Sequence, residues 1–149
     1  MSEAKKDYLP IEETRCYKRF SKLANEIWFE AITWTEFAQR TVGRQIVTCA
    51  DSVPANLCEG DGRASDVESI RFFHISRGSA RELLHWIQTA EDRNLIAKDL
   101  GSKWRSEAIL GGKEINGLIS YRREQGLGKR VRESVAPYGD LCEASFCDD

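Results

Sequence analysis

A helix-forming pattern that runs straight through a proline, stops at paired glycines and restarts at a serine constrains this chain most. Val42, Ile46, Cys49, Val53 and Leu57 keep apolar steps of three and four across Pro54. A proline inside a helix removes one backbone donor and crowds the carbonyl four residues earlier, here that of Ala50, at a cost of about 3 kcal/mol. The unbroken pattern therefore predicts one kinked helix from about Thr35 to Gly60 rather than two short ones. Gly60 and Gly62 can take the positive φ at which helices end, and Ser65 with Glu68 three residues on forms a capping box for the next helix. Two long helices must then lie antiparallel across a short turn.

The flanking segments supply two more helices. From about Thr14, the stripe Tyr17, Phe20, Ala24, Ile27, Trp28 and Ala31 predicts a first. From about Ser102 to Glu124, Trp104, Ala108, Gly111, Ile115, Leu118 and Arg122 trace the inner line of a fourth. Glycines at 111 and 112 weaken that helix and predict a break or a close helix approach near Gly111. The expected fold is all-α, an up-down-up-down four-helix bundle with a proline-kinked second helix, over residues 14–125. Residues 1–13 read as a flexible N-terminal arm, and 126–149, without an amphipathic period, as a disordered C-terminal tail.

The third helix, from about Asp66 to Arg93, is apolar on two adjoining lines. Ile70, Phe73, Ala80, Leu84 and Ile87 form one; Phe72, Ile75, Ser79, Leu83, Trp86 and Ala90 form the other. A monomeric bundle needs only one such line, so Phe72, Ile75, Ser79, Leu83 and Trp86 are the expected oligomer interface. The remaining side is basic: Arg71, His74, Gly78, Arg81 and His85 recur at three and four, with Arg77 at the edge. Arg71, Arg77 and Arg81, extended by Arg63 at the turn, are the candidate nucleic-acid-binding residues. The same arginines could instead form a solvated face with Glu68 and Glu82 as intrahelical partners.

The stretch Ser52-Val53-Pro54-Ala55-Asn56-Leu57-Cys58-Glu59-Gly60, then Gly62-Arg63, Ser65, Phe72 and Ile75-Ser76-Arg77-Gly78-Ser79-Ala80-Arg81-Glu82-Leu83, resembles the signature of the four helix bundle protein family. Members include proteins encoded in intervening sequences of bacterial large-subunit ribosomal RNA and the accessory variability determinant of diversity-generating retroelements. A weaker likeness extends over roughly Arg15 to Glu124. The resemblance implies a ring-like homo-oligomer, a pentamer, whose relatives associate with structured RNA or DNA and, in retroelements, with a reverse transcriptase. Val47 and Thr48 stand where members often carry two arginines.

Charge and motifs narrow the function classes. The chain has 22 basic and 24 acidic residues, but both ends are acidic and the body between Thr14 and Glu124 is mildly basic. That balance leaves two readings open: a non-enzymatic accessory factor that binds structured nucleic acid, and a protein-protein adaptor or scaffold that does not. No phosphate-binding glycine loop, His-Glu-x-x-His, Gly-x-Ser-x-Gly or Glu-x-x-His motif occurs, so an enzyme is not expected and no cofactor is called for. His74 and His85, about 16 Å apart along a helix, cannot share a metal ion within one subunit. Five cysteines without a Cys-x-x-Cys pair, no apolar run of about 20 residues and no signal sequence point to a reducing, cytoplasmic setting without a membrane.

Overall fold

A computed structural model describes residues 9–134, with side chains to 126. Four helices form an all-α bundle. Helix α1 is Arg15–Ala31. Glu36–Ala38, the π-helical Gln39–Gly43 and Arg44–Asp61 follow one another without interruption and are together called α2. Helix α3 is Asp66–Asp92 and α4 is Lys98–Ser134. Each helix packs on its neighbours in the sequence, and α4 closes back onto α1. This is the up-down-up-down arrangement that short connections dictate.

Side-chain caps set the starts. The hydroxyls of Thr14, Thr35 and Ser65 accept from the backbone N–H three residues on, opening α1, α2 and α3. The ends differ from the expectation. Gly60 lies inside α2 and Gly62 caps its end with φ −75°, so neither takes a positive φ, which falls instead on Asn94, just past α3, at 55°. Gly60 answers a spatial need: a Cβ there would lie 2.8 Å from Cε1 of Phe73, so its absence lets α2 and α3 approach.

Pro54 sits inside α2 as expected, and polar side chains of α2 and α3 bind the carbonyls before it. The buried hydroxyl of Ser76 donates to the carbonyl of Val53 at 2.8 Å, and Asn56 Nδ2 donates to the carbonyl of Ser52 at 2.8 Å. Ser52 and Ser79 share a hydrogen bond of 2.9 Å across the same seam. The two carbonyls just before the proline thus carry side-chain donors.

The core line of α3 is Phe73, Ser76, Ala80, Leu83, Ile87 and Ala90, a strict alternation of threes and fours. It merges the two lines read from the sequence. Leu83 is fully buried inside the monomer, so it cannot belong to an oligomer interface. Trp28 errs the other way: expected in the core of α1, it is half exposed, and Leu23 takes a place there.

Ion pairs fasten α4 to the rest. Arg19 on α1 binds Glu114, Nε to Oε2 3.0 Å, and also Glu107. Arg122 reaches Asp61 at the end of α2 at 2.6 Å and Asp66 at 3.6 Å. The carboxylates of Glu114, Asp61 and Asp66 are largely buried, which places their pairs above the weak surface kind, whereas Glu107 is exposed.

Most of the expected arm and tail, 1–8 and 135–149, lies outside the described residues. Of the rest, Ile11–Glu13 form a 3-10 turn that buries Ile11 in the core, and α4 continues as helix to Ser134. A helix already nucleated propagates through isolated glycines, and the first proline after it is Pro137. Likewise α4 is unbroken at Gly111, which serves a close approach instead. A Cβ at Gly111 would fall 2.4 Å from Cε2 of Phe20, whereas one at Gly112 would meet nothing within 4 Å. Gly111→Ala should therefore destabilise the fold by about 1–3 kcal/mol through overpacking, and Gly112→Ala should stabilise it by up to about 1 kcal/mol. Urea denaturation of the two variants checks the opposite signs.

Candidate nucleic-acid interface

At about 100° per residue, α3 turns two different flanks outward. Phe72, Ile75, Ser79 and Trp86 face the α2 side, and His74, Arg77 and Arg81 face α4. The α4 flank forms a groove of about 510 Å³, lined from α3 by His74, Arg77, Gly78 and Arg81 and from α4 by Ile109, Gly112, Lys113 and Asn116. It exists because the residues opposed across it are small: Gly78 and Ala80 face Ala108 and Gly112.

Polar rungs bridge the groove at intervals. Arg77 donates to Oδ1 of Asn116 at 3.0 Å, and Arg123 lies 3.2 Å from Nε2 of His74 one turn further along. At the opposite end Arg105 donates to Gln88 at 2.9 Å and pairs with Glu91 at 2.5 Å. No carboxylate lines the groove between these rungs. Arg77 meets a neutral amide rather than a carboxylate. Arg71 and Arg81 are exposed, and among the described residues neither makes a side-chain hydrogen bond or ion pair. In a chain of net charge −2, this is a local concentration of uncompensated positive charge.

Burial first, then the neighbouring Arg77 and Arg123 guanidiniums, push the His74 pKa below its ordinary value of 6.5. Neutral His74 thus accepts from Arg123 and carries its proton on Nδ1. Because the folded pKa is the lower, the unfolded chain takes up the proton first, and this site's contribution to stability is lost as pH falls below about 6.5. An anion in the groove reverses the preference, since it favours imidazolium. Affinity for a phosphate ligand is expected to rise a few-fold from pH 8 to pH 6 in the native protein and to stay flat in His74→Gln, as equilibrium titrations at the two pH values would show.

The four arginines read from the sequence do not form one surface. Arg77 and Arg81 lie in the groove, and Arg71 stands on the outer crest of α3. Arg63 is on the other flank, paired with Glu59 and stacked 4.5 Å over the ring of Phe72. Lys113 and Asn116 complete the groove, Arg123 meets His74 at its end, and all three were missed because α4 was read only for its core line. Their steps of three and seven on one flank of α4 were the available signal.

Of the expected interface, Ile75 is 43% exposed, while Phe72 and Trp86 are half-buried and Ser79 is engaged with Ser52. The Trp86 indole donates to Glu82 at 3.3 Å. A second apolar surface, unforeseen, lies where α1 meets α2: Trp28, Phe29, Ile32 and Phe37 are all exposed. Cys16, Cys49 and Cys58 are free thiols with raised pKa values, that of Cys49 pushed up to about 12 by burial and by Glu82. Cys142 and Cys147 lie outside the described residues. Among the described residues no helix is long and apolar enough to cross a membrane.

A family model described as 23S rRNA-intervening sequence protein matches residues 12–117, from the turn before α1 through the groove residues Lys113 and Asn116. No curated protein matches the chain. Among solved structures, the crystal structure of a protein of unknown function from the S23 ribosomal protein family of Bacteroides thetaiotaomicron shares the fold, with a TM-score of 0.63 at 17% identity. The match covers 70% of this chain and 97% of that one.

Proposed function

Since the chain belongs to the 23S rRNA-intervening sequence protein family, we propose that it is a cytoplasmic, non-enzymatic homo-oligomer, a pentameric ring, that binds structured nucleic acid as an accessory factor. The observation that carries this reading is the carboxylate-free basic groove between α3 and α4. Nucleic-acid affinity comes largely from cations that displace counterions from phosphates, and Arg77, Arg81 and Lys113 line this groove. A ring repeats the groove once per subunit. Weak contacts then add through effective concentration, which lets a chain of slightly negative net charge bind a polyanion.

A salt titration of the native protein with an RNA stem-loop and a DNA duplex tests this. If three phosphates are met per engaged groove, the logarithm of the binding constant should fall with the logarithm of salt at a slope of about −2 to −3 per groove. Binding that ignores salt, or none at low salt, overturns the reading. Sedimentation at micromolar concentration tests the ring.

The exposed Trp28, Phe29, Ile32 and Phe37 favour a second reading, in which the same oligomer is an adaptor for a protein partner such as a reverse transcriptase. An oligomer that binds no nucleic acid in the titration would make this the better account.

A further inference from the structure

Phosphate contacts alone do not need a cavity; a flat row of arginines would serve. The α3–α4 groove has depth as well as charge, and its floor is apolar and bare. Ala80 and Ala108 are buried beneath it, Leu84 and Ile109 flank one end, and a Cβ placed on Gly78 or on Gly112 would meet no atom within 4 Å. Glycine within a helix costs about 1 kcal/mol relative to alanine, and neither of these glycines recovers it through close packing. What the two positions leave between them is an open slot with cations above it. Arg81 and Lys113 stand on opposite walls, and the Arg77–Asn116 rung presents amide and guanidinium groups at one end.

We infer that this groove receives a single unstacked nucleotide, its base lying on the glycine-alanine floor and its phosphate held between Arg81 and Lys113. The inference rests on the nucleic-acid reading above and names its ligand class: nucleic acid with an unpaired base, as in a loop or bulge, in preference to continuous duplex. The volume of about 510 Å³ falls in the range of about 300–1,000 Å³ typical of small-ligand sites. A planar base is apolar on its faces and polar at its edges. It therefore matches a slot with an apolar floor and hydrogen-bonding groups at the end, and Arg81 offers a guanidinium plane to stack on. In a duplex each base is already stacked and paired and cannot enter.

The test compares an eight-nucleotide single-stranded RNA, an abasic strand with the same number of phosphates and the same RNA in duplex form, each titrated against the native protein in about 0.1 M salt. The base-bearing strand is expected to bind about 10-fold or more tighter than the other two. Gly78→Leu with Gly112→Leu fills the slot from both walls without touching the core. That variant should lose the preference and keep salt-sensitive binding. Equal affinity of the abasic and base-bearing strands overturns the inference on the native protein alone, whether or not the variant folds, and leaves the phosphate-binding function standing. A preference that survives in the folded variant overturns it too, and no binding of any probe sinks both readings. Competition by AMP separates the sources. Displacement as tight as the strand's own binding overturns the polymer as the ligand in favour of a free nucleotide; weaker or no displacement supports the strand.

Discussion

Leu83→Asp is expected to unfold the chain, whereas Ile75→Asp should leave it folded and weaken its self-association. Both residues lie on the line of α3 that the sequence assigns to an oligomer interface, yet the bundle separates them. Leu83 points inward with no exposure, between Ala80 and Ile87 on the core line, and Ile75 is 43% exposed on the α2 flank. A carboxylate at position 83 has no partner there, and the lost burial adds to its desolvation. The combined cost, above about 4 kcal/mol, is a large part of the 5–15 kcal/mol that holds a domain together. At position 75 the new charge meets water in the monomer and is buried only if a second subunit covers it. Thermal melts and sedimentation at micromolar concentration separate the cases. A folded, monomeric Leu83→Asp protein would contradict the packing described here. An Ile75→Asp protein with native assembly would move the subunit contact elsewhere, with the Trp28 to Phe37 surface the next place to look.

The triple change Arg77→Gln, Arg81→Gln and Lys113→Gln is expected to lower affinity for structured RNA by about 100-fold in 0.1 M salt and to flatten the salt dependence. Arg63→Gln with Arg71→Gln, two of the four arginines read from the sequence, should change it only a few-fold. The difference is geometric. Arg77, Arg81 and Lys113 converge on one groove with no carboxylate in its lining, while Arg63 is held by Glu59 on the far flank and Arg71 stands apart on the crest. Glutamine keeps the length and the helix propensity, so circular dichroism should confirm an intact bundle. Equal losses from the two sets would mean that charge acts diffusely and the groove has no special part.

The fold was legible in the sequence because its signals are local. Caps at Thr14, Thr35 and Ser65, the apolar period through Pro54 and the short connections between helices leave little besides an antiparallel bundle. The core line of α3 was misread for a specific reason. Ser76 is polar but occupies a central core position, and treating it as a surface residue splits one line into two, moving Leu83 onto the wrong flank. Half the candidate site was legible for a similar reason. Arg77 and Arg81 belong to one helical period, whereas Lys113, Asn116 and Arg123 join them only through the register of α3 against α4, which no single-helix pattern contains. The exposed cluster from Trp28 to Phe37 was hidden because aromatic residues at helical spacing look the same whether they face a core or a partner.

The hydroxyl of Ser76 against the carbonyl of Val53 also bears on how the bundle chooses its alignment. Leucines and alanines tolerate sliding, since an apolar line displaced by one turn meets another apolar line. A buried hydroxyl does not. Moving α3 along α2 by a turn, about 5.4 Å, would break the hydrogen bond from Ser76 to the Val53 carbonyl, at a cost of about 1–3 kcal/mol wherever no other acceptor replaces it. The Ser52–Ser79 pair lies on the same seam and would break with it. Together with Pro54, whose ring marks the place on α2 where they sit, these serines work as a notch that makes one alignment cheaper than its neighbours. In the proposed oligomer, where every subunit would present the same groove, that uniqueness would matter more than the last increment of stability.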